Sequence, residues 1–165
     1  MDRWGKILGV RDEFLILGVV NTRKDDMKVS LADHGLYYRG LLVLVRRDRK
    51  IDEAERDMLM RVGKALGFEE TFCAQAIREI LENEYIPDEP PHFDNQELAR
   101  CFLRDGIRLA WADRNIDGSE LSFLKSVGAL HGIDEPWLEQ AIEQITREEQ
   151  DPLHVKLEAE GLQWK

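Results

Sequence analysis

Residues 48 to 80 and 113 to 145 superimpose at a constant offset of 65 positions without a gap, and 14 of the 33 pairs are identical. About two identities would arise by chance. The match opens with Asp48/Asp113, Arg49/Arg114, Ile51/Ile116, Asp52/Asp117 and Glu55/Glu120, and continues through Gly63/Gly128, Gly67/Gly132 and Ile77/Ile142. Upstream it fades in identity but keeps character, with Tyr37 over Phe102, Arg39 over Arg104 and Leu44 over Leu109. The chain is therefore an internal duplication, with one unit near residues 30 to 80 and the second near 95 to 145. The fold class that follows is all-α, a helical bundle built from two pseudo-twofold three-helix repeats around one shared core.

Each unit reads as three helices. Ser30 and Asp33 have capping-box spacing ahead of "LADHGLYYRGLLVLVRR", whose dense apolar run suits a helix buried on most sides. Asp94 and Glu97 offer the same spacing ahead of "NQELARCFLRDGIRLAWA". The second helices, near 53 to 66 and 118 to 131, place Met58, Leu59, Val62, Ala65 and Leu66, then Phe123, Leu124, Val127 and Leu130, at three- and four-residue steps. Gly67 and Gly132 stand where a helix end takes a left-handed residue, and Asp134-Glu135-Pro136 opens the third helix of unit two. Gly63 and Gly128 lie inside helices, where glycine costs nearly 1 kcal/mol, and close helix packing is the expected compensation.

The remaining segments divide the chain. Residues 1 to 29 give conflicting signals, because "FLILGVV" suits a strand or a helical turn equally. Residues 30 to 148 form the helical domain. Pro87, Pro90 and Pro91 make 81 to 93 an extended linker between the repeats. Asp151 and Pro152 open an amphipathic C-terminal helix within 149 to 165, carrying Leu153, Val155, Leu157 and Leu162, that docks on the body.

Charge limits the partners. Against 33 acidic residues stand 23 basic ones, and a net charge of −10 repels a polyanion, which excludes nucleic acid as the main partner. The imbalance is local: residues 1 to 80 hold 15 basic and 14 acidic residues, whereas 81 to 165 hold 8 and 19. Opposite fields on the two halves suit docking of a protein partner or a second copy. No stretch reaches the 18 apolar residues of a spanning helix and no signal peptide is evident, so no transmembrane segment is expected. Two cysteines, Cys73 and Cys101, both inside helical patterns, read as buried thiols of a cytoplasmic protein. The basic run Arg46, Arg47, Arg49 and Lys50 reads as a solvated turn, with docking of an anionic partner or a lipid headgroup at the membrane periphery as its functional reading.

The repeated octets "DRKIDEAE" and "DRNIDGSE" concentrate the remaining chemistry. Asp52 with Glu55, and Asp117 with Glu120, have the spacing of reciprocal capping boxes. Capping does not account for Asp48 and Asp113, each at the end of a preceding helix, where orphan carbonyls and the dipole disfavour a carboxylate by about 0.3 to 1 kcal/mol. A bound cation would reverse that cost. Asp113, Asn115, Asp117 and Glu120 offer hard oxygen ligands of the kind Ca²⁺ or Mg²⁺ takes, and Asp48, Asp52 and Glu55 are their counterparts. "DRNIDG" meets the first half of an EF-hand loop, yet Leu124 stands where the closing bidentate Glu belongs.

A helix ending in Ala-Asp, a short turn with Ile, a capping pair and a second helix, here "WADRNIDGSELSFLKSVGALHGID" and "VRRDRKIDEAERDMLMRVGKALGFE", resembles the signature of the TerB-like family of tellurite-resistance and DnaJ-cochaperone-associated domains. The resemblance spans about residues 30 to 146. It implies an all-helical, non-enzymatic module with acidic clusters for divalent ions and a place in stress-response assemblies. Carried over by position, those acidic residues are Asp113, Asp117 and Glu120, with Asp48, Asp52 and Glu55. Arg49 and Arg114 stand where the family usually has Gly after the first Asp. The alternative to this reading is a metal-free helical scaffold or dimerisation module.

Enzymatic motifs are lacking. "EPPH" (89 to 92) has the spacing of a di-iron helix motif but contains two prolines, and "RVGK" lacks the rest of a phosphate loop. His131 and Glu135, across a helix break, read as a surface pair. Trp111, Trp137 and Phe72 read as core or interface anchors, and Trp4 and Trp164 as contact positions near the ends.

Overall fold

The computed structural model describes residues 29 to 47, 50 to 148 and 151 to 162. Six α-helices follow one another: α1 (Leu31–Arg46), α2 (Glu53–Ala65), α3 (Glu70–Glu82), α4 (Gln96–Ala110), α5 (Gly118–Leu130) and α6 (Glu135–Arg147). Short 3-10 turns lie at Trp111–Asp113 and Glu158–Gly161, and the described residues contain no strand. None of their helices is long and apolar enough to cross a membrane. The expectations for residues 1 to 28, for Asp48 and Arg49, and for Trp164 lie outside the described residues.

The helices start at Leu31, Glu53 and Glu70, and again at Gln96, Gly118 and Glu135, so every helix of the second triplet begins 65 residues after its counterpart. Local chemistry sets most of these starts. Ser30/Asp33, Asp52/Glu55 and Asp117/Glu120 all form reciprocal capping boxes, each side chain accepting the other's backbone N–H. Asp134 caps α6 through the Trp137 N–H at 2.9 Å, with Pro136 in the first turn. The expected Asp94/Glu97 box is displaced by one residue. Asn95 caps α4, its Oδ1 accepting from Glu97 N (2.7 Å) and Leu98 N (3.1 Å), which satisfies two orphan donors with one oxygen. α2 and α5 end identically: Gly67 (φ 89°) and Gly132 (φ 68°) are left-handed, while Phe68 N and Ile133 N reach back to the carbonyls of Gly63 and Gly128.

Within each triplet all three helices touch, and the triplets meet along α1 and α4. Two further contacts cross over, α1 with α5 and α2 with α4, so each opening helix also packs on the other unit's second helix. α1 is buried on most of its circumference, as its composition predicts. Its Tyr37, Leu41 and Leu44 join Leu98, Phe102 and Ile107 of α4 in a single core. Gly63 touches α3 and α1 at once: a Cβ there would collide with the Cys73 sulfur and meet the Tyr38 hydroxyl at 3.2 Å, so close packing does explain this glycine. Gly128 differs, because its hypothetical Cβ meets the carbonyl of Ile133 in its own turn at 3.2 Å. Cys73 and Cys101 are buried thiols outside any disulfide.

After its third helix each unit folds back onto its own first helix. In unit one the linker places Pro91 against Gly40 and inserts Phe93, whose ring lies 6.0 Å from that of Tyr37 and 5.6 Å from that of Phe102. In unit two residues 151 to 162 cross α2 and α4 and bury Val155, Leu157, Ala159 and Leu162. This strap docks as expected but takes turns and a four-residue 3-10 helix in place of the expected amphipathic α-helix, and Leu153 is exposed. Its N–H groups near Glu158 bond to α4 rather than to a preceding turn, which rules out a regular helical ladder there.

Candidate functional site

The helix caps place the acidic octets at the start of α2 and α5. Asp117 Oδ1 accepts the Glu120 N–H at 2.8 Å and Glu120 Oε1 accepts the Asp117 N–H at 3.1 Å. In unit one Asp52 Oδ1 accepts from Glu55 N at 2.8 Å and Glu55 Oε2 from Asp52 N at 3.0 Å. Both glutamates are closed off from solvent, Glu55 at 2% and Glu120 at 3% exposure, whereas Asp52, Asp113 and Asn115 are exposed. Asp113 ends its 3-10 turn and accepts the Asn115 N–H at 3.0 Å. That bond gives the carboxylate a local partner at the helix end without a metal. Arg114, between them, is left-handed (φ 65°) and lays its guanidinium 5.8 Å from the centre of the Trp111 ring.

The two octets share one electrostatic neighbourhood. Burial, followed by the charges of Asp117, Glu55 and Asp113, pushes the Glu120 carboxyl up to about 8, against the pull of its Asp117 N–H bond. Glu55 belongs to the other repeat, so the helix starts that carry the octets lie near each other at the junction of the units. As a ligand set, however, Asp52, Glu55, Asp117 and Glu120 each commit an oxygen to a cap. Among the described residues no group of three or more His, Cys, Asp or Glu is arranged to hold a metal ion.

The basic run is also drawn inward. Arg46 and Arg47 both reach Asp88 of the linker, at 3.5 and 2.5 Å, and Arg47 bonds Ser119 Oγ at 3.3 Å while its guanidinium sits 4.8 Å from the Phe123 ring centre. Two of the four cations expected to face a lipid surface are thus engaged by the protein itself, and of the remainder Lys50 is exposed. The aromatic anchors divide similarly. Trp137 is half-buried beneath Arg104 (5.2 Å) and Arg100 (5.9 Å), whereas Phe72 is 51% exposed, its ring tilted against that of Phe68 at 5.1 Å, instead of entering the core.

His131 is no surface partner of Glu135. Its Nδ1 lies 2.7 Å from the Val127 carbonyl and its Nε2 accepts the Phe93 N–H at 2.8 Å, which fixes a neutral ring with Nδ1 protonated. His92 stacks on it at 5.3 Å. Burial first, and then the neighbouring His92, lower the His131 pKa.

A buried polar group, Asp105, lies midway along α4 and is 1% exposed. Its Oδ1 accepts from Glu158 N (2.6 Å) and its Oδ2 from Ala159 N (2.9 Å) and the Tyr37 hydroxyl (2.6 Å). Arg61 of α2 holds the same strap from the other side through Glu160, Nε to Oε1 at 3.0 Å and Nη2 to Oε2 at 2.9 Å, and through the carbonyls of Pro152, Leu153 and Val155. Neither residue emerges from motif reading. The available signal is an acidic residue on the apolar face of α4, between Phe102, Leu103, Gly106 and Leu109, because a carboxylate at such a position has to find donors. Comparison with family models, with curated proteins and with solved structures gives no match to this chain.

Proposed function

We propose that the chain is a non-enzymatic helical binding module of TerB-like type, acting in the cytoplasm within a stress-response or tellurite-resistance assembly through protein contacts made on its acidic half. The observation that carries the reading is the convergence of the two octets, where Glu120 experiences Asp113 and Asp117 of its own unit and Glu55 of the other. Such a field draws cations, whether a divalent ion or the basic side chains of a partner. The linker adds a contact surface: Tyr85 (86% exposed) and Leu81 (41%) stand among the exposed Glu82, Glu84 and Glu89. An aromatic ring ringed by carboxylates suits a basic partner surface with an apolar socket.

Ca²⁺ or Mg²⁺ at the paired turns, through Asp113, Asn115, Asp117 and Glu120, would cancel the carboxylate repulsion and stiffen the helix junctions, displacing the proton that burial holds on Glu120. The metal-free scaffold is the second reading, favoured by the commitment of the octet carboxylates to caps. Thermal melts with and without millimolar Ca²⁺, Mg²⁺ or Mn²⁺ separate the two. An ion at 100 times its dissociation constant adds about 2.7 kcal/mol, and the gain should grow from pH 6 to pH 8.5 as Glu120 loses its proton. A midpoint unmoved at both pH values leaves the scaffold, and gel filtration across a salt series then reads its charge-driven association.

A further inference from the structure

The two units differ most sharply where their tails return. Asp105 occupies the position equivalent to Gly40, and Arg61 the position equivalent to Ser126, each 65 residues apart. In unit one the returning linker meets Gly40 through Pro91, with the Phe102 ring of α4 against the same glycine and Phe93 packed on Phe102, an apolar contact. In unit two the equivalent place has a buried carboxylate, and the opposite wall has a guanidinium. Together they read the strap chiefly by its main chain: two N–H groups by Asp105, three carbonyls by Arg61. Two side chains are recognised as well, Glu160 by the two-pronged Arg61 guanidinium and Glu158 by Arg104 at 3.4 Å and Arg108 at 3.9 Å, and Val155, Leu157, Ala159 and Leu162 fill the apolar floor.

Main-chain recognition with charged anchors and apolar sockets is how peptide grooves bind extended segments. We propose that the groove between α2 and α4 is a peptide-binding site, occupied in cis by residues 151 to 162, and that its external ligand is an extended acidic segment of a partner protein with the strap's own pattern: apolar, any, apolar, Glu, small, Glu. The strap is then an intramolecular competitor that keeps the site closed until such a segment displaces it. This inference concerns a second surface, apart from the acidic turns, and rests on the binding-module reading only for the existence of a protein partner. Occupancy of the groove is measured independently of the ion and association experiments above, so the two can fail separately.

The test inserts a protease site after Glu148 in the full chain, cleaves the folded protein, and adds a fluorescent synthetic peptide of residues 151 to 162. The cleaved protein is expected to stay folded, to exchange its strap, and to bind the peptide in a saturable 1:1 manner by anisotropy. A peptide with Glu160→Gln should bind about tenfold more weakly or worse, since a charge-assisted contact is lost. A peptide with Ala159→Pro, which lacks the N–H that Asp105 accepts, should not bind measurably. Unfolding on cleavage, absence of exchange, or equal binding of a scrambled peptide would each overturn the proposal and make the strap an ordinary part of the core. Recovery of the uncleaved chain as a strap-exchanged dimer would assign the groove to a second copy and overturn the external partner.

Discussion

Tyr37 and Phe102 occupy equivalent places in the two repeats, and they touch each other, edge to face, with ring centres 5.4 Å apart and planes at 88°. The first helices of the two triplets therefore meet at this pair. The substitution of a phenol for a phenyl at that point also lets one unit reach Asp105 of the other, so the duplicated core carries one polar connection that its twin position lacks.

That connection is measurable. Asp105→Ala leaves three buried donors without an acceptor and is expected to cost about 3 kcal/mol. Asp105→Asn keeps one acceptor oxygen but turns an amide toward donors, at about 2 kcal/mol, and Tyr37→Phe removes one bond, at about 1 kcal/mol. Urea midpoints at unchanged slope should rank the variants in that order. Equal stability of Asp105→Ala and Tyr37→Phe would mean that the strap is not anchored at α4.

Gly63→Ala should destabilise by about 1 to 2 kcal/mol despite alanine's better helix propensity, because the new methyl group runs into the Cys73 sulfur. Cys73→Ala in the same chain should recover most of that loss, giving a double-mutant coupling of about 1 kcal/mol. Gly128→Ala, facing a turn carbonyl at 3.2 Å, has no side chain that a second substitution could remove. Failure of the Cys73 change to rescue Gly63→Ala would place the cost in the backbone instead.

Glu120 makes stability depend on pH in an unusual sense for a carboxyl. Its folded pKa, about 8, lies above its unfolded value near 4.5. The favourable contribution is therefore complete below pH 4.5 and is lost as pH rises through 8. Glu120→Gln keeps an acceptor for the Asp117 N–H and removes the titration. Denaturant unfolding should show the variant gaining on the parent between pH 5 and pH 8.5, and parallel curves would refute the burial of a neutral acid.

His131 acts in the opposite direction. Its folded pKa is depressed below 6.5, so the neutral ring's contribution is complete above that value and is lost as pH falls through the folded pKa. Protonation removes the acceptor for the Phe93 N–H and should loosen the linker from α5. The Phe93 amide should show faster hydrogen exchange and a changed NMR shift in acid, in step with the His131 ring titration. An amide shift that ignores the ring would break the link.

Much of this architecture was legible because its signals are local. Ser30, Asp52, Asp117 and Asp134 cap the helices they precede, Gly67 and Gly132 end helices with the same backbone geometry, and the offset of 65 carries every helix start from one unit to the other. Asp94 misled because two adjacent residues both suit a cap, and only the geometry of the chain entering α4 selects Asn95. The strap misled because its apolar residues at alternate positions fit a short helix as well as an extended segment. Asp105 and Arg61 were hidden for a different reason. Most of their partners are backbone atoms more than 50 positions away, and a main-chain N–H leaves no letter in a sequence.

The crossed packing of α1 on α5 and of α2 on α4 means that neither half closes its own apolar face. A gene fragment encoding one half would therefore yield subunits that complete each other as a homodimer, and fusing two such genes would join that dimer into one chain, freeing each half to diverge. Gly40 on one side facing Asp105 at the equivalent position on the other is the kind of asymmetry that only the fused form permits.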